Sequence, residues 1–448
     1  MVPPPLQGEL SALAIHPRVL VVAPDDDRLG PLCRGLDALG WTTVTARSEH
    51  AALAALADLP LDVAVIDGRC PTGLAPALQI AARPRRLPVL AVDDTGTLRH
   101  DPAVDLAMSA PPHPAQAALR LEHLIRAAIA EEEMTLREAT FAARGTSLVQ
   151  TDAEQTPLRV LAAGRPDQRF LALHNALIAD GCEVVAAPTP YTAFDYLHER
   201  AFDAAVLWGG EDHAPAQSIA SGMKRNTRLY HIPLVLYLSG RAEIDLEQLY
   251  GRGFADVAAA DTPEDETARR IVALARTYRR HQVIRRTLES ARSSGLTDAA
   301  TGLFTPSLFA AHLARIAEAA ADRRRPLSVC VLRVADAGGL AQMKAEGWLG
   351  RALPQIGAMV SRLIRTEDTA ARLSPDVFAL ALPATTAAEA RIAAERIAAV
   401  IGCTAFDAGA GRSPFVVGFD IGAAEMGPGE SPGTLLERAS AAVVPAAA

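Results

Sequence analysis

Residues 18–23 read RVLVVA, an apolar run of the kind that forms a buried strand. A turn at 24–27 and a helical pattern around 32–39 follow it. Two further apolar runs, DVAVI at 62–66 and PVLAV at 88–92, alternate with helical patterns. Strands that alternate with helices in this way predict a doubly wound parallel sheet.

The same rhythm begins again at 159–163 (RVLAA) and continues at 203–207 (DAAVL) and 233–238 (PLVLYL). Because the second of these runs aligns with DVAVI of the first unit, the sequence predicts a tandem repeat of one domain type. A long helical pattern follows each repeat, at 115–143 and 264–293. The second helix is rich in arginine, which fits either a solvated connecting helix or a helix that pairs two chains in a signalling dimer.

The C-terminal third of the chain, from Leu296 onward, has a different pattern. Its predicted elements are a helix at 306–321, a strand at 327–334, a helix that ends near Ile364, a strand–turn–strand at 370–382, a helix at 386–401 and a strand at 415–421. Ser374, Pro375 and Asp376 form the turn of the hairpin. We therefore predict a mixed α/β domain after the two parallel ones.

Composition limits the class of protein. The chain has 448 residues, of which 50% are hydrophobic, enough for about three ordinary domains. A formal net charge of −8 opposes binding to DNA and to acidic membranes. The 5 cysteines are isolated from one another, so neither a zinc site nor a disulfide framework is predicted. Because no secretory leader and no apolar run of membrane-spanning length is found, we expect a cytoplasmic protein without membrane insertion.

Two segments of the last unit carry a family resemblance. Residues 296–303, LTDAATGL, resemble the LTDxLTGL segment at the start of GGDEF domains, the diguanylate cyclases. Residues 372–383, RLSPDVFALALP, occupy the place of that family's R-x-GGDEF hairpin and the strand after it. The two upstream units, at 18–130 and 159–280, resemble the receiver domains of response regulators.

The resemblance implies an α/β chain built from three domains. Two flavodoxin-like receiver domains, at 16–143 and 157–293, each end in a long helix, and a GGDEF domain of mixed α/β fold follows at 294–445. This order of domains is similar to that of the PleD-type cyclases and of a catalytically inactive relative of theirs.

The residues that the cyclase reaction needs are replaced. In the GGDEF family, carboxylates of the first strand and the hairpin hold the metal ions that act on GTP. By resemblance the strand position is Arg333, whose guanidinium repels Mg²⁺. The hairpin glycines and glutamate correspond to Ser374, Pro375 and Val377, and the guanine-binding pair corresponds to Ala341 and Gly350. We therefore expect no catalytic residue, no bound metal and no enzymatic activity.

A ligand site resembling the family's product-inhibition site is retained. Arg365 and Asp368 form an Arg-x-x-Asp motif that begins nine residues before the hairpin turn, and a further arginine of that site corresponds to Arg396. Arginine donates paired hydrogen bonds to guanine or phosphate, and a carboxylate accepts from guanine N–H groups. The resemblance implies that these three residues bind cyclic di-GMP, with further arginines from a neighbouring domain. A surface ion pair is the alternative role of an isolated Arg-x-x-Asp.

The receiver-like units keep little of a phosphorylation site. Asp67 stands at the position of the phosphoacceptor, but Ala23 and Pro24 take the place of the acidic pair, and Asp25, Asp26 and Asp27 are displaced along the loop. The lysine position is Ala110, followed by Pro111, which matches a proline that is often cis in receivers. Asp67 is either a phosphoacceptor or a relic carboxylate in a domain used for protein contacts, and we favour the second interpretation.

In the second unit, Trp208 takes the acceptor position, so we predict an adaptor domain that is not phosphorylated there. We therefore predict that the whole chain is an inactive effector that couples the binding of cyclic di-GMP to contacts with protein partners. The resemblance implies protease adaptors and a response-regulator substrate as partners, a homodimer, cell-cycle signalling and a location at the cell pole. The alternatives are a cyclase or GTP hydrolase that uses Asp376, a scaffold that binds no nucleotide, and a domain that binds GTP without turnover.

Overall fold

The computed structural model describes residues 17–83, 85–94, 98, 101–148, 156–165, 167–209, 213–226, 228–238, 245–290, 295–336, 345–409 and 412–445. These residues form two compact units. The first unit contains 17–128 and 156–283, and the second contains 129–148 and 284–445.

The first sheet of the first unit is parallel throughout, with the strand order β2-β1-β3-β4-β5. Its strands are β1 (Arg18–Val22), β2 (Thr42–Ala46), β3 (Val63–Asp67), β4 (Val89–Val92) and β5 (Leu106–Met108). Its helices are α1 (Gly30–Ala38), α2 (Glu49–Asp58), α3 (Leu74–Ala81) and α4 (Pro114–Ala142). The predicted apolar runs correspond to the buried strands β1, β3 and β4, and the Ala110–Pro111 peptide is cis, as predicted.

The second sheet repeats this topology, with the order β10-β9-β8-β6-β7. Its strands are β6 (Leu158–Ala163), β7 (Cys182–Ala187), β8 (Ala204–Gly209), β9 (Leu234–Leu238) and β10 (Asp256–Ala258). Its helices are α5 (Gln168–Ala179), α6 (Pro190–Glu199), α7 (Ala214–Arg225), α8 (Leu246–Gly251) and α9 (Glu264–Ser290). Both parallel sheets are compatible with a flavodoxin-like fold.

The sheet of the second unit is antiparallel, with the order β12-β13-β11-β14-β15. Its strands are β11 (Leu327–Val334), β12 (Thr369–Ser374), β13 (Val377–Pro383), β14 (Phe419–Glu425) and β15 (Val444–Pro445). Its helices are α10 (Pro306–Asp322), α11 (Trp348–Leu363), α12 (Ala387–Gly402) and α13 (Pro432–Ala441). The mixed α/β prediction is confirmed for this unit.

The last predicted strand was misplaced. We expected a strand at 415–421, but β14 begins only at Phe419 and continues to Glu425. Phe415 instead forms an isolated bridge with Phe406, with both backbone hydrogen bonds present. The apolar residues of 415–419 therefore include side chains that pack outside the sheet. The prediction had assigned all of them to one strand.

Each face of this sheet has its own core. One core contains Ile356 of α11, Phe378 of β13 and Ile397 of α12. The other contains Phe309 of α10 together with Phe141, which lies near the end of α4. Residues 129–142 of α4 therefore pack as part of the second unit, against the face that carries α10.

Candidate functional site

The predicted motif lies at the corner between α11 and β12. The Arg365 backbone N–H donates to Asp368 Oδ2 at 2.8 Å, and the Asp368 backbone N–H donates to the Arg365 carbonyl oxygen at 3.2 Å. The aspartate side chain thus closes the turn in which it lies, a role that its short carboxylate favours. The two motif residues are held as the two ends of one turn.

Residues 296–303, LTDAATGL, form a loop that packs against α11, the helix that leads to this corner. Asp298 Oδ1 accepts hydrogen bonds from the backbone N–H and the hydroxyl of Thr301, at 2.9 and 2.7 Å. A Cβ on Gly357 of α11 would lie only 2.3 Å from the Thr301 carbonyl oxygen, so α11 can approach this loop because residue 357 is glycine. The segment that carries the family resemblance therefore sets the position of the helix that leads to Arg365.

Arg365 and Asp368 line one open cleft whose empty space, together with the solvent at its mouth, is about 680 Å³. The charged side chains that line the cleft are three arginines and one carboxylate: Arg137, Arg285, Arg365 and Asp368. The apolar side chains that line it are Ile284, Leu303, Phe304 and Ile364. The cleft is suited to a flat, anionic ligand with apolar faces.

Asp368 is the most unusual group of the cleft. Its residue is 6% exposed, and within the described residues its Oδ1 has no hydrogen-bond partner. Burial raises the pKa of Asp368 to about 7, and Glu367 adds to the rise, while the charge of Arg365 opposes it. A buried acceptor without a partner costs free energy, so a ligand that donates to Oδ1 would gain from satisfying it.

Arg137 reaches the same corner from α4 and was missed by the sequence argument. Its Nη2 donates to the Asp368 carbonyl oxygen at 2.8 Å and to Thr369 Oγ1 at 3.1 Å, and its Nε donates to Glu133 Oε1 at 2.8 Å. The only signal in the sequence was the position of Glu133 and Arg137 among the apolar residues of the helix, beside Ile129.

Arg396 lies beside the cleft rather than in its lining. It is an exposed residue of α12, and its Nη2 donates to the Leu363 carbonyl oxygen at 3.3 Å. Leu363 is the last residue of α11, two positions before Arg365. The structure thus brings Arg365 and Asp368 into one cleft and places Arg396 at the end of the helix that leads to them.

The hairpin and the first strand form a second candidate site. In the sheet, Arg333 of β11 lies opposite Val377 on one side and Asp420 on the other. The hairpin turn is closed by a hydrogen bond between Ser374 Oγ and Asp376 Oδ1 at 3.1 Å. Gly350 lies in α11, whereas Ala341, the other expected partner of guanine, falls outside the described residues.

Asp67 lies at the end of β3, fully buried and surrounded by arginine donors. Arg69 Nη2 donates to Asp67 Oδ2 at 2.7 Å, and Arg28 Nη1 donates to Asp67 Oδ1 at 3.3 Å. Burial alone would raise the pKa of Asp67, but the hydrogen bonds from Arg69 outweigh it, and the pKa lies below its usual range. Arg69 also bonds to Asp25, so the acid cluster is neutralised by guanidinium groups.

Trp208, at the equivalent place in the second sheet, fills its own pocket. Its ring stacks on Tyr237 with the centroids 4.3 Å apart and meets Phe170 edge-on, and its Nε1–H donates to Asp167 Oδ2 at 3.2 Å. A Cβ on Gly164 would lie 2.3 Å from the tryptophan Cβ. The indole is a packing residue of this domain, 7% exposed.

Comparison with known families identifies the last part of the chain. Residues 296–447 match the family model described as "Diguanylate cyclase, GGDEF domain". These residues form a GGDEF domain, a family whose usual activity is that of a diguanylate cyclase. A search of curated protein sequences gave no match to this chain.

Among the described residues, no helix combines the length and apolarity needed to cross a bilayer.

Several solved GGDEF structures are similar to this chain. The FimX GGDEF domain from Pseudomonas aeruginosa is 20% identical, with 33% of this chain and 90% of that chain covered and a TM-score of 0.30. The GGDEF domain of DgcB from Caulobacter crescentus, solved in complex with cyclic di-GMP, is 22% identical, with coverages of 33% and 86% and a TM-score of 0.31. Diguanylate cyclase SiaD from Pseudomonas aeruginosa, solved with its activator SiaC, is 24% identical, with coverages of 40% and 68% and a TM-score of 0.31.

Proposed function

We propose that this chain is a catalytically inactive GGDEF effector that binds cyclic di-GMP in the cleft beside Arg365 and Asp368 and transmits that binding to protein partners. The single observation that carries the proposal is Asp368 Oδ1, an acceptor without a partner among the described residues, which lies buried at the cleft beside Arg365. Most buried polar atoms in folded proteins have a partner, so a carboxylate oxygen in this state favours a ligand site over a surface ion pair.

The chemistry of the cleft matches both parts of the ligand. The N1–H and N2–H groups of guanine can donate hydrogen bonds to an ionised Asp368. The guanine O6 and N7 atoms can accept hydrogen bonds from an arginine guanidinium. The phosphodiester groups carry negative charge, which Arg285 along the cleft balances. Arg396 contacts the C-terminal end of α11 beside the cleft, and from there it can donate to a ligand that occupies the cleft.

The absence of catalysis is supported by the residues at the first strand and the hairpin. Mg²⁺ takes oxygen ligands, and the cation Arg333 directly opposite Val377 does not fit such an ion. Pro375 also removes a backbone N–H and fixes φ where the family has glycine. An active cyclase is the alternative, since that is the usual activity of the family.

For the two upstream domains we propose adaptor roles. Asp67 is held by Arg28 and Arg69 as an anchor of its loop, and its use as a phosphoacceptor is the alternative. The closed aromatic pocket of Trp208 supports a domain that works through its surface. Similarity of the domain order to PopA-type proteins leads us to propose a cytoplasmic homodimer that brings protease adaptors and a response-regulator substrate together at the cell pole during the cell cycle.

Calorimetry with cyclic di-GMP on the full chain tests the proposal. We expect saturable binding by the wild type and a loss of at least about 100-fold for Arg365→Ala, because a paired hydrogen bond from a charged group is removed. Arg362→Ala is the matched control: this exposed arginine in the last turn of α11 is not part of the cleft lining, and its loss should leave the affinity unchanged. Absence of heat in the wild type would favour a scaffold that binds no nucleotide.

A further inference from the structure

Helix α4 carries two Glu–Arg pairs of the same spacing in contrasting surroundings. Glu122 and Arg126 form a partly exposed pair at 2.8 Å, with side chains 12% and 26% exposed. Glu133 and Arg137 form a pair at the same distance, with side chains only 3% and 2% exposed. Burying such a pair is costly unless further hydrogen bonds satisfy both groups. The second pair therefore depends on the hydrogen bonds that its neighbours supply.

Those partners all belong to the GGDEF domain or to the end of α4 itself. Glu133 Oε1 lies 2.6 Å from His312 Nε2 and accepts from Thr369 Oγ1 at 3.0 Å. His312 Nδ1 lies 3.0 Å from Thr140 Oγ1, one helical turn beyond Arg137. The network joins α4 to α10 through His312 and to the start of β12 through Thr369.

Asp368 stands between this network and the cleft. Its carbonyl oxygen accepts from Arg137, while its carboxylate lines the cleft and closes the turn with Arg365. A change in the packing of α4 therefore acts on the backbone of the same residue whose side chain would hold the ligand. Arg137 is itself 1% exposed, and its Nε and Nη2 are both engaged by the protein.

We infer that Arg137 is a positioning residue that couples the packing of residues 129–142 to ligand binding at Asp368. The inference rests on the proposed function and adds its regulation. A ligand that favours the held geometry of the corner also favours the packed helix, and by reciprocity a packed helix raises the affinity for the ligand. A signal that loosens the end of α4 would lower the affinity for cyclic di-GMP without touching a ligand-contacting residue.

The test uses the full chain and two readouts, calorimetric affinity for cyclic di-GMP and hydrogen exchange of residues 129–142 with and without ligand. We expect Arg137→Ala to bind about 10- to 100-fold more weakly, the effect of hydrogen bonds lost from a charged group. In the wild type the ligand should slow exchange of 129–142, and in Arg137→Ala this protection should be lost. Arg126→Ala removes the partly exposed pair of the same helix and should behave as the wild type.

If the wild type binds but Arg137→Ala has the same affinity, or if the ligand leaves exchange of 129–142 unchanged in the wild type, the coupling is refuted while the proposed function stands. If the wild type binds no cyclic di-GMP, both are refuted. Should Arg137→Ala fail to fold, Arg137→Lys carries the same expectation, because an ammonium keeps the charge but cannot supply Nε and Nη2 together.

Discussion

The guanidinium of Arg69 lies between two carboxylates, with Nη2 2.7 Å from Asp67 Oδ2 and 2.9 Å from Asp25 Oδ1. Its Nη1 makes a second bond to Asp25 at 2.8 Å. The pKa of Asp25 lies below its usual range chiefly because of the hydrogen bonds from Arg69. A fixed cation therefore bridges both acids at the place where a divalent ion would bind between them.

From this arrangement we predict that Mg²⁺ has no effect on the thermal unfolding of the wild type. Arg69→Ala leaves Asp25 and Asp67 facing each other without the guanidinium, so its unfolding temperature should fall in the absence of metal and rise on addition of Mg²⁺. Calorimetric unfolding with and without MgCl₂ measures both effects. Arg47→Ala, which removes an exposed ion pair with Asp26 in the same loop, should show no response to Mg²⁺.

Trp208→Ala should destabilise the second parallel domain by about 3–5 kcal/mol, the usual loss when a large buried aromatic side chain is removed. The stacked Tyr237 and the edge-on Phe170 would both lose their contacts with the indole. Denaturant unfolding followed by circular dichroism measures the change. Tyr191→Ala, at a side chain that is 77% exposed in the same domain, should change the free energy of unfolding by less than about 0.5 kcal/mol.

Incubation of the wild type with GTP and Mg²⁺ should yield no cyclic di-GMP above a blank. The expected reason is electrostatic: by resemblance Arg333 takes the position of a metal-binding carboxylate, and its guanidinium would repel Mg²⁺. Arg333→Asp alone should remain inactive because Val377 and Pro375 still occupy the hairpin. Chromatographic detection of the product is the measurement, with an active GGDEF cyclase as positive control. Formation of product by the wild type would restore the enzymatic alternative.

The sequence predicted some parts of the molecule well for a physical reason. Buried central strands such as β3 and β9 are continuous apolar runs, so their positions could be read directly. The edge strand β2, whose residues are TTVTA, is partly exposed and carries no such run. The three-residue strands β5 and β10 are too short to give a periodic signal.

The residues of the candidate site were likewise predictable only where a local sequence pattern reports them. Arg365 and Asp368 are close in sequence and share one turn, so their spacing alone predicted that they lie together. Arg137 is 231 residues from Asp368, and no local pattern reports a contact over such a separation. Asp368 Oδ1 has no hydrogen-bond partner among the described residues, and this state and the raised pKa of Asp368 depend on burial by distant segments, which spacing does not reveal.

The affinity for cyclic di-GMP should increase with pH up to about 7 and level off above it. Burial raises the pKa of Asp368 to about 7, so below that pH the free protein holds a proton that must leave before the carboxylate can accept guanine N–H groups. Each pH unit below 7 should weaken binding by about tenfold. Calorimetry at pH 5.5 to 8.5 measures the slope, and Asp368→Asn should bind weakly with no such slope.

The same group gives a stability signature with a defined sign. Its folded pKa lies above the value of about 3.9 expected in the unfolded chain, so the folded state binds the proton more tightly. The contribution to stability is fully present below pH 4 and is lost as the pH rises through about 7. The free energy of unfolding of the wild type relative to Asp368→Asn should therefore decline between pH 4 and 7. A difference that stays constant over this range would show that Asp368 is ionised throughout, and the pH dependence expected for the ligand would then disappear with it.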